Sequence, residues 1–194
     1  MIRKTDDRRV LYTKMFLRES LLALMETKPV EKITPTELCR HAGINRNTFY
    51  AHYRSPEELL ESIEDEILIK IREALEDEHS VIGTLRILKN NADFCRVLVS
   101  PYCPHDFWKR IFEDSIGHYL EVWKLTDPAF SEATQRRVVK YAINGAVAVI
   151  QDWMVSGMST PEEEIAGLIR VLTDRGIPGI TEYRDRGRDR AVNS

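Results

Sequence analysis

Side chains able to hydrogen-bond to nucleic acid are concentrated in one short polar run, residues 45–54. Arg46 and Asn47 lie near its start, and these types form paired hydrogen bonds with guanine and adenine in the major groove. The run and the segment before it also carry side chains that commonly bind phosphate oxygens: Thr36, Thr48, Tyr50, His52 and Arg54. This combination predicts a surface that reads base edges and is anchored on the DNA backbone.

Helical spacing separates the apolar residues of this run from its polar ones. Phe49 and Tyr53 are four residues apart, so they share a helix face that can pack inward with Leu38, Ala42 and Ile44. The opposite face then carries Arg46, Asn47, Tyr50, Ala51 and Arg54. The alternative is a short polar helix that is simply solvated, which is the commoner case for an isolated amphipathic helix.

Capping signals define the elements that hold this run. Thr34, Pro35 and Glu37 predict a capping box and a helix from Pro35 to Ala42, which Gly43 ends in a left-handed turn. Asn45 then caps a third helix, through about Tyr53. Two short helices joined by a tight glycine turn are typical of a helix-turn-helix.

Helical periodicity continues along the chain without an alternating strand pattern, which predicts an all-α protein. A first helix has a stripe of Val10, Leu17, Leu21, Leu24 and Met25. A capping box at Ser55–Glu58 opens a long fourth helix to about Glu78, with an apolar face of Leu60, Ile63, Ile67, Ile71 and Leu75. Further helices are predicted near 81–89, 93–98, 107–123 and 131–155, and after a Thr160–Glu163 cap to Leu172.

Charge is distributed unevenly along the 194 residues, whose formal net charge is −3. Residues 1–55 hold 11 Lys and Arg against 6 Asp and Glu, a net +5, whereas residues 56–172 hold 12 against 21, a net −9. We therefore predict a DNA-binding domain at 1–55, a helical regulatory and dimerisation domain at 56–174, and a flexible charged tail at 175–194.

The cellular compartment is predicted from the absence of targeting and membrane-spanning patterns in the sequence. There is no secretory signal pattern at the start and no apolar run long enough for a membrane span, so a cytoplasmic protein is expected. Cys39, Cys95 and Cys103 are odd in number and widely spaced, which predicts reduced thiols that mostly serve packing.

The first quarter of the sequence resembles the DNA-binding region of the TetR/AcrR family. The resemblance is carried by Lys32–Leu38 and by Ala42–Tyr53, which includes an Ala-Gly-Ile turn and a Thr-Phe-Tyr-Ala-His-Tyr segment. The recognition helix is most similar to that of regulators of the dihydroxyacetone kinase activator type. The resemblance implies that DNA-contacting positions are occupied by Thr36, Arg46, Asn47, Thr48, Tyr50 and His52.

One departure from the family pattern concerns phosphate binding. Many members carry a lysine that contacts phosphate where this chain has Pro56, and the sequence leaves open whether Arg54 replaces that contact.

The resemblance also implies a homodimer formed by the last two long helices. Small residues on the first of these helices and apolar residues on the second agree with it: Ala142, Gly145, Ala146, Val149, Ile165, Leu168, Ile169 and Leu172. The alternative is that these faces pack only within one chain. A ligand pocket is predicted to be lined by Phe94, Trp108, Tyr119, Tyr141 and Asn144, although aromatic residues at helical spacing more often form a core.

Together these features predict a ligand-responsive repressor that binds a near-palindromic operator as a homodimer, with no cofactor. An activator of the same fold is the alternative. A helical enzyme is less favoured, because no nucleophile motif or phosphate loop is present. A protein-interaction module is the other less favoured alternative, and a steep fall of affinity with salt would distinguish DNA binding from it. Asp114, His118 and Glu121 have helical spacing but lack the second ligand pair of a carboxylate-bridged metal site, so no metal is expected.

Overall fold

The computed structural model describes residues 3–76, 80–103, 105–122 and 131–173. Within these ranges the regular elements are helices, which confirms the all-α prediction. They are α1 (Arg3–Met25), a 3-10 turn (Val30–Lys32), α2 (Pro35–Ala42), α3 (Arg46–Tyr50), α4 (Pro56–Leu75), α5 (Ser80–Lys89), α6 (Ala92–Leu98), α7 (His105–Val122), α8 (Glu132–Val155) and α9 (residues 162–173).

Most predicted bounds agree with the structure, and the differences are local. Helix α3 ends at Tyr50 rather than Tyr53, although the amides of His52 and Tyr53 both still donate to the Phe49 carbonyl at 2.9 Å. Helix α4 ends at Leu75, and its predicted last residue, Glu78, lies outside the described residues, as does the tail at 175–194. No helix in the described ranges combines the length and apolar character needed to cross a bilayer.

The chain divides into two compact units that interleave along the sequence. The first is drawn from Met1–Ile71 and Ile87–Trp108, and the second from Arg72–Arg86 and Lys109–Ser194. The predicted functional boundaries at residues 55 and 174 are of a different kind and stay a prediction.

In the first unit, α1 packs on α2 and α6, and α2 packs on α3. Fully buried side chains from five helices form its core: Leu17, Leu21, Met25, Leu38, Phe49, Ile67, Phe94 and Val97. Polar contacts supplement the packing, because the Arg18 guanidinium donates to Asn91 Oδ1 at 2.7 Å and the Arg96 guanidinium to Glu26 Oε1 at 2.8 Å. The prediction that Val10 belongs to the buried stripe is wrong, because Val10 is exposed.

The second unit is built around α8. Its inward face carries Val139, Ile143, Ile150, Trp153 and Met154, all buried. The Trp153 indole donates to the Thr160 carbonyl at 2.8 Å, which holds the turn between α8 and α9. Gly157 has a φ of +77° and closes α8 in the left-handed conformation that glycine favours.

Candidate nucleic-acid interface

Helix α2 is begun by a side-chain cap and ended by a glycine. The Thr34 hydroxyl accepts a hydrogen bond from the Glu37 amide at 3.2 Å, and Pro35 occupies the first turn, as predicted. Gly43 has a φ of +66°, and the next amide, that of Ile44, donates to the Cys39 carbonyl at 3.0 Å. The chain therefore turns sharply between α2 and α3, as a helix-turn-helix requires.

The predicted reciprocal half of this capping box is replaced by an ion pair. The Glu37 carboxylate accepts a hydrogen bond from Nζ of Lys28, which precedes the helix, at 2.7 Å. This hydrogen bond lowers the pKa of Glu37 below its usual value. The contact ties the start of the α1–α2 connection, shortly after α1 ends at Met25, to the first turn of α2.

Helix α3 buries and exposes the side chains that the spacing predicted. The Asn45 side chain accepts from the Asn47 amide at 2.8 Å and so starts the helix. Phe49 is fully buried and Tyr53 almost so, with their ring centroids 6.1 Å apart. Burial raises the pKa of the Tyr53 hydroxyl. With these two rings inside, the polar face of α3 is directed to solvent.

The seven residues predicted to contact DNA all belong to the first unit. Thr36, Arg46, Asn47 and Arg54 are exposed, and Tyr50 is about half exposed at 48%. Thr48 and His52 are partly buried, which leaves part of each side chain accessible. One residue of α2 and most of α3 therefore expose hydrogen-bonding side chains within the same unit.

Arg46 and Tyr50 interact with each other on this surface. The Arg46 guanidinium lies 5.8 Å from the centre of the Tyr50 ring, and its Nη2 is 3.5 Å from the tyrosine hydroxyl. The hydroxyl contact raises the pKa of Arg46. Sequence reasoning missed this pairing, although the i, i+4 spacing of the two residues is the signal for it. Tyr50 thereby limits the orientations available to the proposed base-reading arginine.

The start of α4 fixes the backbone at Arg54. The Ser55 hydroxyl accepts from the Glu58 amide at 3.3 Å, as the capping box predicted, while the Glu58 carboxylate accepts from the Arg54 amide. Pro56 is buried, so the position where many family members carry a lysine presents no accessible side chain.

The residues predicted to line a ligand pocket do not share one compact unit. Phe94 and Trp108 lie in the first unit, whereas Tyr119, Tyr141 and Asn144 lie in the second. Phe94 is fully buried against Phe107, with ring centroids 5.0 Å apart, and therefore acts as core. The Tyr141 side chain is 83% exposed, and the Asn144 amide is exposed and donates to the carbonyl of Lys140 in its own helix, so neither lines an enclosed cavity within the chain.

The faces predicted for dimerisation lie on α8 and α9 in the second unit. Leu168 and Leu172 are 49% and 59% exposed. A Cβ added at Gly145 would meet nothing within 4 Å, so this part of α8 is open within the chain. Ala142, Ala146, Val149 and Ile165 are partly buried. Ile169 is the exception, because it is buried in the core of its own unit and is not available to a partner.

Comparison with known proteins agrees with this architecture. Residues 77–175, just over half of the chain, match the family model for the C-terminal region of TetR-type transcriptional regulators. The nucleoid occlusion factor SlmA of Marinomonas sp. (strain MWYL1) is 25% identical over 112 residues, which are 52% of this chain and 54% of that protein. The chain thus spans about half the length of this relative.

Two solved structures have a similar fold. The dihydroxyacetone kinase operon activator DhaS superimposes with a TM-score of 0.59 at 18% identity, covering 86% of this chain and 96% of DhaS. NalD, the secondary repressor of the MexAB-OprM multidrug efflux pump in Pseudomonas aeruginosa, superimposes with a TM-score of 0.60 at 17% identity, covering 89% of this chain and 98% of NalD. With the matched family region, the all-helical fold and the helix-turn-helix geometry in place, the chain belongs to the TetR family of transcriptional regulators.

Proposed function

We propose that this regulator binds a near-palindromic DNA operator as a homodimer and represses transcription by occluding the promoter. The observation that carries the proposal is the division of α3 into a buried face of Phe49 and Tyr53 and an exposed face of Arg46, Asn47 and Tyr50. An exposed arginine and asparagine at the start of a recognition helix are the groups that discriminate guanine and adenine in the major groove.

Phosphate contacts are assigned to the remaining polar residues of the surface. Thr36, Thr48, Tyr50, His52 and Arg54 carry donors suited to phosphate oxygens, and these contacts set register and not sequence. The net charge of +5 on residues 1–55 supports binding that weakens steeply as salt rises. DNA in the cytoplasm is the partner that we propose for this surface.

Dimerisation is proposed through α8 and α9, and it supplies the symmetry of the operator. The open surface at Gly145 allows a second helix to approach closely, and the exposed Leu168 and Leu172 supply apolar area to bury. A two-fold dimer presents two recognition helices, so each reads one half of a near-palindrome.

A small-molecule inducer is also part of the proposal, with no assigned pocket, because the five residues predicted to line one are divided between the two units. Phe94 is core, whereas Tyr141 and Asn144 are exposed. A compound screen read out by loss of operator binding tests this part separately.

The central experiment is selection of bound duplexes from a random pool at near-physiological salt. An enriched palindrome supports DNA binding and two-fold symmetry together, whereas equal recovery of all sequences contradicts specific recognition. A promoter reporter carrying the selected operator then determines the sign of regulation. Increased transcription on addition of the protein would favour the activator alternative, the role named for DhaS.

A further inference from the structure

The N-terminal half of α1 carries an apolar stripe that the first unit does not cover. Leu11, Tyr12, Met15 and Phe16 are 66%, 56%, 39% and 44% exposed. They follow i, i+1, i+4, i+5 spacing, so they form one continuous patch on the helix. The buried residues of α1, including Leu17, Leu21 and Met25, lie mainly on a different face. The patch is therefore a surface feature and not part of the core.

This stripe is symmetric about its own midpoint. Arg8 and Glu19, both exposed, lie on the same face at its two ends, with the four apolar residues between them. When a second copy of α1 runs antiparallel on it, the two-fold axis passes between residues 13 and 14. Arg8 then faces Glu19 of the second copy, Leu11 faces Phe16, and Tyr12 faces Met15. Opposite charges meet at both ends and apolar side chains meet throughout the middle.

We propose that this stripe, named here the α1 face, pairs with the α1 face of a second copy of the chain. Charge complementarity supports this pairing, because one two-fold operation places opposite charges together at both ends of the stripe, as an isologous interface requires. Since α1 belongs to the same unit as α3, the copies joined in this way are the DNA-binding units of neighbouring dimers. The inference rests on the proposed function, because DNA brings these units together.

The size of the α1 face sets the conditions under which it pairs. Residues 8 to 19 span about 16 Å of helix at 1.5 Å per residue. Stable interfaces bury roughly 1,200–2,000 Å² in total. Four apolar side chains from each copy are too few to bury an area of that size. Pairing is therefore weak in solution and becomes effective when adjacent operators hold two dimers at high local concentration. Its consequence is cooperative binding to paired operators.

The test compares a duplex carrying one selected operator with duplexes carrying two, at spacings varied base by base over a helical turn. We expect the second dimer to bind about tenfold more tightly than the first at the favoured spacing. Arg8→Glu places Glu against Glu and should abolish this cooperativity without a specific loss of single-operator affinity. The double variant Arg8→Glu/Glu19→Arg reverses both charges and should restore it.

Lys14→Glu is the matched control, because it makes the same charge change at an exposed position of α1 away from the α1 face. It should keep cooperativity, and any loss of single-operator affinity that it shares with Arg8→Glu reports general electrostatics. Wild-type protein that binds one operator but shows no cooperativity at any spacing would overturn the α1 pairing. Failure of the charge-reversed double variant to recover would do the same.

Cross-linking without DNA separates this inference from the proposed function. An equimolar mixture of Arg8→Cys and Glu19→Cys chains should form mixed disulfide-linked pairs at high protein concentration, more than either variant forms alone. Such a result would support the α1 register even if no operator were selected. If the mixture forms no cross-linked pairs, or no more than either variant forms alone, the register is refuted even if DNA binding is established.

Discussion

At the scale of single residues, DNA recognition is proposed to depend on a pair, Arg46 and Tyr50. An exposed arginine samples many conformations in solution, and fixing one on binding costs side-chain entropy. The Tyr50 ring and hydroxyl already restrict the guanidinium, which lies 5.8 Å from the ring centre. Tyr50 thus orients the Arg46 guanidinium and also contributes a hydroxyl to the proposed phosphate contacts.

Replacement of Arg46 by alanine should remove sequence reading at the base pair that Arg46 contacts. We expect a loss of about 1–3 kcal/mol in operator affinity and a relaxed preference at one base pair in each half-site. Fluorescence anisotropy on the selected duplex and its single-base variants measures both. Arg54→Ala is the comparison, because loss of a phosphate contact should weaken all duplexes alike and reduce the salt slope by about one. Unchanged preference in Arg46→Ala would reject its role as a base reader.

Substitutions at Tyr50 should separate the contribution of its ring to base discrimination from that of its hydroxyl. Tyr50→Leu removes the surface beneath the guanidinium, so it should reduce discrimination at the base pair read by Arg46 by about 0.5–1 kcal/mol. Tyr50→Phe keeps the ring and should retain most of that discrimination. Binding of both variants in the Arg46→Ala background completes a double-mutant cycle. Additive effects in that cycle would show that the two side chains act independently.

At the scale of elements, the turn at Gly43 positions α3 against α2. Its φ of +66° is in the left-handed region, which disfavours residues with a side chain, and a Cβ added there would meet nothing within 4 Å. Any cost of substitution therefore comes from the backbone and not from a clash. The placement of Arg46 depends on this turn, since it lies three residues further on.

Gly43→Ala should lower the free energy of unfolding by about 1–2 kcal/mol because of its left-handed backbone. Gly117→Ala is the control: its added Cβ also meets nothing, but Gly117 is inside helix α7, where alanine should stabilise by about 0.5–1 kcal/mol. Urea unfolding followed by circular dichroism compares the two. Equal effects of the two substitutions would contradict a conformational role for Gly43.

At the scale of the whole molecule, α9 has two apolar faces with different uses. Ile169 is buried within the second unit, whereas Leu168, Val171 and Leu172 are exposed. We propose that the second subunit packs on this exposed apolar face and on the open stretch of α8 at Gly145. The symmetry of the operator depends on that contact.

Leu168→Glu should convert the dimer to a monomer at micromolar concentration, because it places a charge in an apolar interface. The monomer itself should be little destabilised, since Leu168 is half exposed. Sedimentation velocity measures the mass, and thermal unfolding measures the stability. Arg170→Glu, on the opposite side of α9, should remain dimeric. A Leu168→Glu protein that sediments as a dimer would exclude this face.

Local signals in the sequence were sufficient for the helix-turn-helix and for most helix bounds. A cap, a left-handed glycine and the spacing of Phe49 and Tyr53 act within a few residues of one another, so they can be interpreted without knowing the fold. The prediction that Phe49 lies inside and Arg46 outside was confirmed for this reason.

Other features were decided by contacts between distant parts of the chain. Which apolar residues of α9 turn inward depends on packing in its unit, so Ile169 and Leu168 could not be distinguished from spacing alone. Val10 fits the periodic stripe of α1 but is exposed, because periodicity does not show how much of a helix finds a partner. Arg18 and Asn91 meet across 73 residues of sequence. Helical periodicity defines the faces of an element, and only tertiary packing determines which of those faces is covered.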